Sequence, residues 1–352
     1  MKIGILTFNR AINYGAVLQA LALKQVLQKN TDFVEIINYK CDYIEKTYSF
    51  KNDHFFKRIL KTILYFKKNK KFKHFISKIS SEAEFTKGTI KKCNDIYDIV
   101  IVGSDQVWNA NCNGHDYTFL LEWFEKKKYS YSASFGLSSI PKNEVAIYKK
   151  ALSSFDGVSV REETGKRICA NQLDINAIVT IDPSLLLDKN EWISLLELKC
   201  NSQSYILIYA FLIDENIKTI ALKIKNKYKL PIYVINTSIK NKFGDKLFNN
   251  SSPKEFVELI YNAKFIVTDS FHGTAFSINF NKEFFVVAKN DRSSRILDLL
   301  SLLDLKDRSC DKNTEINQIE KIDYNKISGC LNRNIKLSLN YLKSIVGNYY
   351  EK

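Results

Sequence analysis

Short apolar runs recur along the chain, each closed by small or polar residues and followed by a helical repeat. In the first half Lys2 to Phe8, Phe33 to Tyr39, Asp98 to Val102, Lys128 to Ser134, Asp156 to Val160 and Asn176 to Ile181 read as strands. In the second half Tyr205 to Ala210, Ile232 to Ile235, Phe265 to Thr268 and Glu283 to Ala288 do the same. Between them lie helical repeats. Ala16 to Leu27 carries Val17, Leu18, Leu21, Leu23 and Val26 on an apolar face, and Glu215 to Lys227 and Pro253 to Asn262 follow later. Arg292-Ser293-Ser294-Arg295 opens a leucine-rich helix, and Ile327 to Val346 is the longest helical stretch near the C-terminus. Strands alternating with helices predict an α/β fold with parallel sheets. The pattern loosens from Asp188 to Gln203. The expected organisation is two doubly wound Rossmann-like domains, residues 1–195 and 196–352, facing a cleft, the second carrying the C-terminal helices.

One segment departs from this rhythm. From Phe55 to Lys92, lysines including Lys57, Lys61, Lys67, Lys68, Lys70, Lys71, Lys73 and Lys78 interleave with Phe56, Ile59, Leu60, Ile63, Leu64, Phe66, Phe72 and Phe75. A basic amphipathic helical insert over 53–92, formed by a helix pair, is expected. It accounts for much of the net charge of +15 over 352 residues. Three uses compete. One is a helix packed on the sheet with a solvated lysine face. Another is an anionic membrane surface met through Lys57–Lys92. Nucleic acid ranks last, because no recognition motif is present and lysine outweighs arginine.

The composition changes little else. Apolar residues make up 45% of the chain, as in a globular protein, and no apolar run approaches the about 18 residues of a membrane span. The N-terminus MKIGILTFNR has too short an apolar run for a signal peptide. Seven scattered cysteines show no zinc spacing, so reduced thiols in the cytosol and no metal site are expected. The first strand-to-helix turn holds the single Gly15, not a GxGxxG loop, so NAD is not predicted.

Candidate chemistry sits at the carboxyl ends of the strands, where open parallel sheets bind ligands. After Phe265 to Thr268 come Asp269, Ser270, Phe271, His272 and Gly273, and Thr274 then enters a helix. Helix starts favour anions, and a histidine donates, accepts or carries charge. The plainer reading has His272 tie down a loop. Asn13, Ser104, Asp105, Arg161 and Asp182 fall at other strand ends. For these the plainer readings are a helix cap for Asp105 and a carboxylate pair for Arg161. Arg292 and Arg295 stand where a helix after the next strand begins. No GxSxG, Walker loop, HExxH or kinase set is present, so a serine triad is unsupported.

An ordered set of motifs then stands out: INYGAVLQALAL at Ile12 to Leu23, VGSDQVWN at Val102 to Asn109, YSASFG at Tyr131 to Gly136, SVREETG at Ser159 to Gly165, TIDPSLLL at Thr180 to Leu187 and TDSFHGTAFSI at Thr268 to Ile278. With these the chain resembles the polysaccharide pyruvyl transferase family, and a bacterial branch concerned with surface polysaccharides. The resemblance implies a fold like the two-Rossmann glycosyltransferases of the B type. It implies phosphoenolpyruvate as donor substrate, with no cofactor or metal, and a sugar acceptor that becomes a pyruvate ketal as phosphate leaves. His272 matches the motif histidine and is the candidate for donor binding and proton transfer. Arg161, in the VRE element, is the candidate for phosphate or carboxylate, with Arg292 and Arg295 behind it. Ser270, Gly273 and Thr274 would line the phosphate side. Asn13, Tyr14, Ser104, Asp105 and Asp182 would meet the sugar. Other branches carry an acidic pair after the first turn where this chain has Gly15-Ala16-Val17-Leu18-Gln19, so Asp105 or Asp182 is expected to replace it.

An acceptor linked to polyprenyl diphosphate would give the lysine segment a use at the inner face of the membrane, so the expected location is cytosolic with peripheral docking. Two rivals keep the fold and change the function. One is a glycosyltransferase using a nucleotide-sugar, and the other a non-catalytic membrane- or polyanion-binding relative.

Overall fold

The computed structural model describes residues 1–31, 33–48, 55–235, 241–288 and 294–350, the side chains of 55–65 and 348–350 excepted. They divide into two compact units: Met1–Leu186 with Asn334–Lys352, and Leu187–Arg333.

The first unit is built on strands β1 (Lys2–Leu6), β2 (Phe33–Tyr39), β3 (Ser80–Phe85), β4 (Ile99–Val102) and β5 (Lys127–Ser130). They form a parallel sheet in the order β3-β2-β1-β4-β5. A short parallel pair, β6 (Ser159–Val160) and β7 (Ile178–Val179), extends it through bridges such as Ala133 to Val160. Ile99 to Val102 are buried on both faces, as strands between two helical layers must be. Helices α1 (Tyr14–Gln28), α2 (Asp42–Tyr48), α3 (Phe55–Ile79), α4 (Ala110–Asn113), α5 (Val145–Leu152) and α6 (Glu163–Ile168) complete the unit.

The second unit repeats the plan. Strands β8 (Ile206–Tyr209), β9 (Ile232–Ile235), β10 (Lys246–Phe248), β11 (Phe265–Thr268) and β12 (Glu283–Val286) run parallel in the order β10-β9-β8-β11-β12. Helices α7 (Lys189–Leu196), α8 (Glu215–Tyr228), α9 (Pro253–Asn262), α10 (Phe271–Asn279) and α11 (Ser294–Leu302) belong to it. The start of α9 is written in SSPKE: Ser252 caps, Pro253 takes the first turn, and Glu255 closes a capping box.

Three expectations differ from the structure. The division falls at Leu186/Leu187 rather than 195/196, and the last helix α12 (Tyr324–Tyr350) is shared, its residues from Asn334 joining the first unit. The reason is polar satisfaction. The Ile181 N–H donates to Ser338 Oγ at 3.1 Å, and Tyr341 Oη donates to the Ser130 carbonyl at 3.0 Å. Nor is 53–92 an insert with a helix pair. Among the described residues it contains one α-helix, α3, in the crossover between β2 and β3, and then the edge strand β3 itself. SSEAEF looks polar because an edge strand buries little: Ser81 and Phe85 are inside, while Glu82, Ala83 and Glu84 are exposed.

From residue 66 onward α3 turns Phe72, Ile76 and Ile79 inward, with Phe72 5.1 Å from the Tyr14 ring of α1, and turns Lys67, Lys70, Lys71, Lys73 and Lys78 outward. Lys68 breaks the rule. It is buried, and its ammonium lies 4.8 Å from the Tyr14 ring centroid and 5.7 Å from that of Phe72. Desolvation pushes its pKa down from 10.5 to about 8. Below about pH 8 the folded chain therefore carries a charging penalty. As pH rises from about 8 toward 10.5 the folded chain has released a proton that the unfolded chain still binds, so stability increases. The aromatic faces offset part of the penalty. Lys68→Met is expected to stabilise the protein by about 1–3 kcal/mol at pH 7 and by less at pH 10. Urea titrations at both pH values check this, and equal effects at the two would show that the charge is not the cause.

Among the described residues no helix is long and apolar enough to cross a membrane, and no three His, Cys, Asp or Glu side chains come together in a way that could hold a metal ion.

Candidate functional site

Each sheet has one point where successive connections leave in opposite directions. In the first unit it lies between β1 and β4, in the second between β8 and β11. Ligands of doubly wound sheets bind outside the carboxyl ends at such points.

In the second unit that edge is made by the TDSFHG stretch. Thr268 Oγ1 donates to the Tyr209 carbonyl at 2.6 Å and accepts from the Ser270 N–H at 3.0 Å, tying β11 to β8. Asp269 accepts from the Phe211 N–H at 2.8 Å and the Leu212 N–H at 3.4 Å, fixing the loop after β8. Ser270 caps α10 by accepting from the Gly273 N–H at 3.4 Å, and Thr274 Oγ1 donates back to the Ser270 carbonyl at 3.1 Å. His272 follows in the first turn of α10, 7% exposed, its ring edge-on to Phe271 at 5.2 Å. Helix start and imidazole are thus held at one edge.

The small residues here serve the protein first. Ser270 and Thr274 are buried with their hydroxyls in helix bonds. Gly273 was expected to line the phosphate side. Instead, a Cβ there would meet Thr268 Oγ1 at 2.3 Å and Thr268 Cβ at 3.1 Å. Glycine is needed because α10 packs directly on β11. Arg295 lies half-buried in the first turn of α11, and Arg292 falls outside the described residues.

In the first unit the candidates form a buried network. Arg161 Nη1 donates to Asp182 Oδ2 at 3.2 Å, and Arg161 Nε lies 3.6 Å from Glu162 Oε2. The arginine side chain is 2% exposed, that of Asp182 0% and that of Glu162 5%. Burial works against the guanidinium charge, but Glu162, Asp182 and Asp105 outweigh it and raise its pKa above the usual value. Asp182 also accepts from Ser104 Oγ at 2.9 Å, the Ser184 N–H at 3.0 Å and Ser184 Oγ at 2.7 Å. Glu162 accepts from Ser134 Oγ at 2.7 Å. Arg161 is therefore committed to carboxylates of its own unit rather than presented to a donor anion. Ser104 and Asp182 hold strand ends together and do not present free groups to a sugar.

Asn13 and Tyr14 are reassigned on the same ground. Asn13 Oδ1 accepts from the Gly15 and Ala16 N–H groups at 2.9 and 3.3 Å, capping α1. Tyr14 is 2% exposed, its ring beneath Lys68.

Asp105 remains. It is partly exposed at the switch point and adopts φ 85°, a left-handed conformation that is strained for a side chain with a Cβ. Its carbonyl accepts from the Ser134 N–H at 2.9 Å, and its Oδ1 accepts from the Gln106 N–H at 2.8 Å. Of the two carboxylates expected to replace the acidic pair, Asp182 is buried and Asp105 is partly exposed. Beside it stands Tyr48, which no motif contains. Desolvation first, and then the Asp105 charge, push its pKa up to about 12.

Two parallel, doubly wound units, each with polar residues at its switch point, define an α/β protein of two Rossmann-like units. The polysaccharide pyruvyl transferase family model matches residues 13–291. The chain belongs to that family, a family of transferases. Among solved structures it is similar to a protein from Listeria monocytogenes described as a UDP-N-acetylglucosamine 2-epimerase, with TM-score 0.55 and 11% identity over 99% of this chain and 96% of that one. It also matches UDP-N-acetylglucosamine 2-epimerase from Rickettsia bellii, with TM-score 0.44 and 13% identity over 100% of both chains. A third match is ADP-heptose lps heptosyltransferase II from E. coli, with TM-score 0.40 and 9% identity over 96% and 99%. The first of these shows the fold, which is of the glycosyltransferase-B kind. A search of curated proteins returned no significant match.

Proposed function

We propose that the protein transfers the enolpyruvyl group of phosphoenolpyruvate to a sugar of a surface-polysaccharide precursor, forming a pyruvate ketal and releasing phosphate. The observation that carries this reading is the position of TDSFHG in a chain of this family. It forms the carboxyl edge of β11 at the switch point, with His272 in the first turn of α10. A helix start beside an imidazole suits a small, multiply charged anion.

The reaction assigns roles in order. A proton is delivered to the donor methylene, which becomes a methyl group and leaves the adjoining carbon electrophilic. One sugar hydroxyl forms a C–O bond to that carbon and gives up its proton. The C–O bond to phosphate breaks, and phosphate leaves with the electron pair. A second hydroxyl closes the ketal and gives up its proton. His272 is assigned donor binding and the methylene proton, and Asp105 is assigned a hydroxyl proton. Arg295 and Arg292 are the remaining candidates for the donor's charges, since Arg161 is held by Asp182. No metal or cofactor enters these steps.

The test is phosphate release from phosphoenolpyruvate with galactose-, glucose- and N-acetylmannosamine-terminated acceptors, some of them polyprenyl-linked. Acceptor-dependent release with a ketal in the product supports the reading. A thermal shift with a nucleotide-sugar but none with phosphoenolpyruvate would replace it with glycosyl transfer.

The outward lysines of α3, with Phe66 60% exposed beside them, support docking on an anionic membrane surface. Lys68 is buried and does not belong to that face. Reversing the charges of Lys67, Lys70 and Lys71 is expected to abolish sedimentation with anionic vesicles. Undiminished sedimentation would leave the helix as a packed crossover only.

A further inference from the structure

A cavity of about 420 Å³ lies away from the switch point, at the carboxyl ends of β2 and β3 in the first unit. Its size is within the range of small-ligand sites. Residues of the loops after β2 and β3 and of the turn after α4 line it, among them Lys40, Tyr43, Lys87, Gly114, His115 and Asp116.

Its lining is built around one aromatic ring. Gly114 ends α4 at φ 68°, and a Cβ there would meet Tyr43 Cδ2 and Cγ at 2.4 and 2.5 Å. The Tyr43 ring therefore rests on the Gly114 backbone, a contact that only glycine permits, while 45% of the residue stays exposed. Around this platform stand groups of both kinds. Lys87 is exposed, and the Lys40 side chain is 41% exposed, with its ammonium 3.7 Å from Glu84. Asp116 accepts through both oxygens already, Oδ2 from the Tyr39 hydroxyl at 2.6 Å and Oδ1 from the Thr118 N–H at 3.1 Å, and a carboxylate has lone pairs left for a further donor. His115 is held by Glu144, its Nδ1 3.1 Å from Oε1, and its side chain is 58% exposed.

Mixed donors and acceptors select neither a multiply charged anion nor an apolar body. They match a ring bearing hydroxyls on its rim and C–H bonds on its face, which an amphipathic aromatic ring covers. We propose that this cavity is a saccharide subsite that seats a pyranose ring on Tyr43. Strands about 4.8 Å apart place it about 10 Å along the same sheet edge from the β1/β4 switch point. It would thus hold a sugar of the acceptor other than the one modified at Asp105, and the acceptor would be an oligosaccharide. Only this acceptor assignment rests on the transferase reading.

Saturation-transfer NMR on the full chain with methyl β-galactoside, lactose and N,N′-diacetylchitobiose, without phosphoenolpyruvate, tests the site directly. At least one disaccharide is expected to bind, at least tenfold more weakly in Tyr43→Ala, with binding retained in Tyr43→Phe. In turnover, Tyr43→Ala is expected to raise KM for oligosaccharide acceptors and to leave KM for phosphoenolpyruvate unchanged. Absence of binding in the wild type, or equal binding by Tyr43→Ala, overturns the subsite. If binding depends on Tyr43 and no transfer occurs, the subsite stands and the transferase reading falls. If transfer occurs with an unchanged acceptor KM, the assignment of the cavity to the acceptor falls and the transferase reading stands.

Discussion

Arg161→Ala is expected to lower the stability of the folded protein by about 3–5 kcal/mol. The substitution leaves Asp182, whose side chain is wholly buried, and Glu162, 5% exposed, without the positive charge between them. Neither carboxylate can turn to water. Asp182 is held by Ser104 and Ser184, and Glu162 by Ser134. Two buried negative charges near one another cost far more than the lost hydrogen bond. The check is urea denaturation followed by circular dichroism. Because the single variant risks not folding at all, Arg161→Met with Asp182→Asn serves as the second variant. It removes one charge from each side and is expected to recover part of the loss. Wild-type stability in Arg161→Ala, with a raised KM for phosphoenolpyruvate instead, would return the arginine to donor binding.

His272→Ala is expected to reduce kcat for pyruvyl transfer by about 10²–10⁴-fold, the usual worth of a positioned proton donor. The imidazole sits in the first turn of α10, at the end of β11, where the donor anion is proposed to bind. His272→Asn fills most of the same volume and keeps a hydrogen-bond donor without the transferable proton. It is expected to retain donor binding by thermal shift while losing turnover. A folded His272→Ala protein that releases phosphate at the wild-type rate would remove the histidine from the chemistry. The motif would then be an architectural element only.

Much of this architecture is legible because parallel strands buried on both faces need continuous apolar runs. IVIV at Ile99–Val102, ILIY at Ile206–Tyr209 and FIVT at Phe265–Thr268 can be little else. The strands hidden from view are the edges. SSEAEF at β3 and KLF at β10 are paired on one side only and carry few buried residues. The strand ends were legible, and the partners of the residues that close them were not. His272 and Asp105 stand at the two switch points because strand ends are written in the pattern. That Ser104, Arg161 and Asp182 satisfy one another depends on pairings across 78 and 21 residues, which no local pattern records.

By itself, then, the sequence determined two runs of alternating strands and helices, the family motifs, and which residues close each strand. Periodicity and end-capping are local properties, so the chain carries them openly. Only the tertiary structure decided that α12 returns to the first unit, that Gly273 exists to let α10 touch β11, and that Lys68 turns inward onto Tyr14. It also decided that Tyr43 packs against Gly114 beside a cavity. Each of these depends on which distant groups share a buried volume, where an unmet charge or a single extra carbon costs more than any local preference supplies.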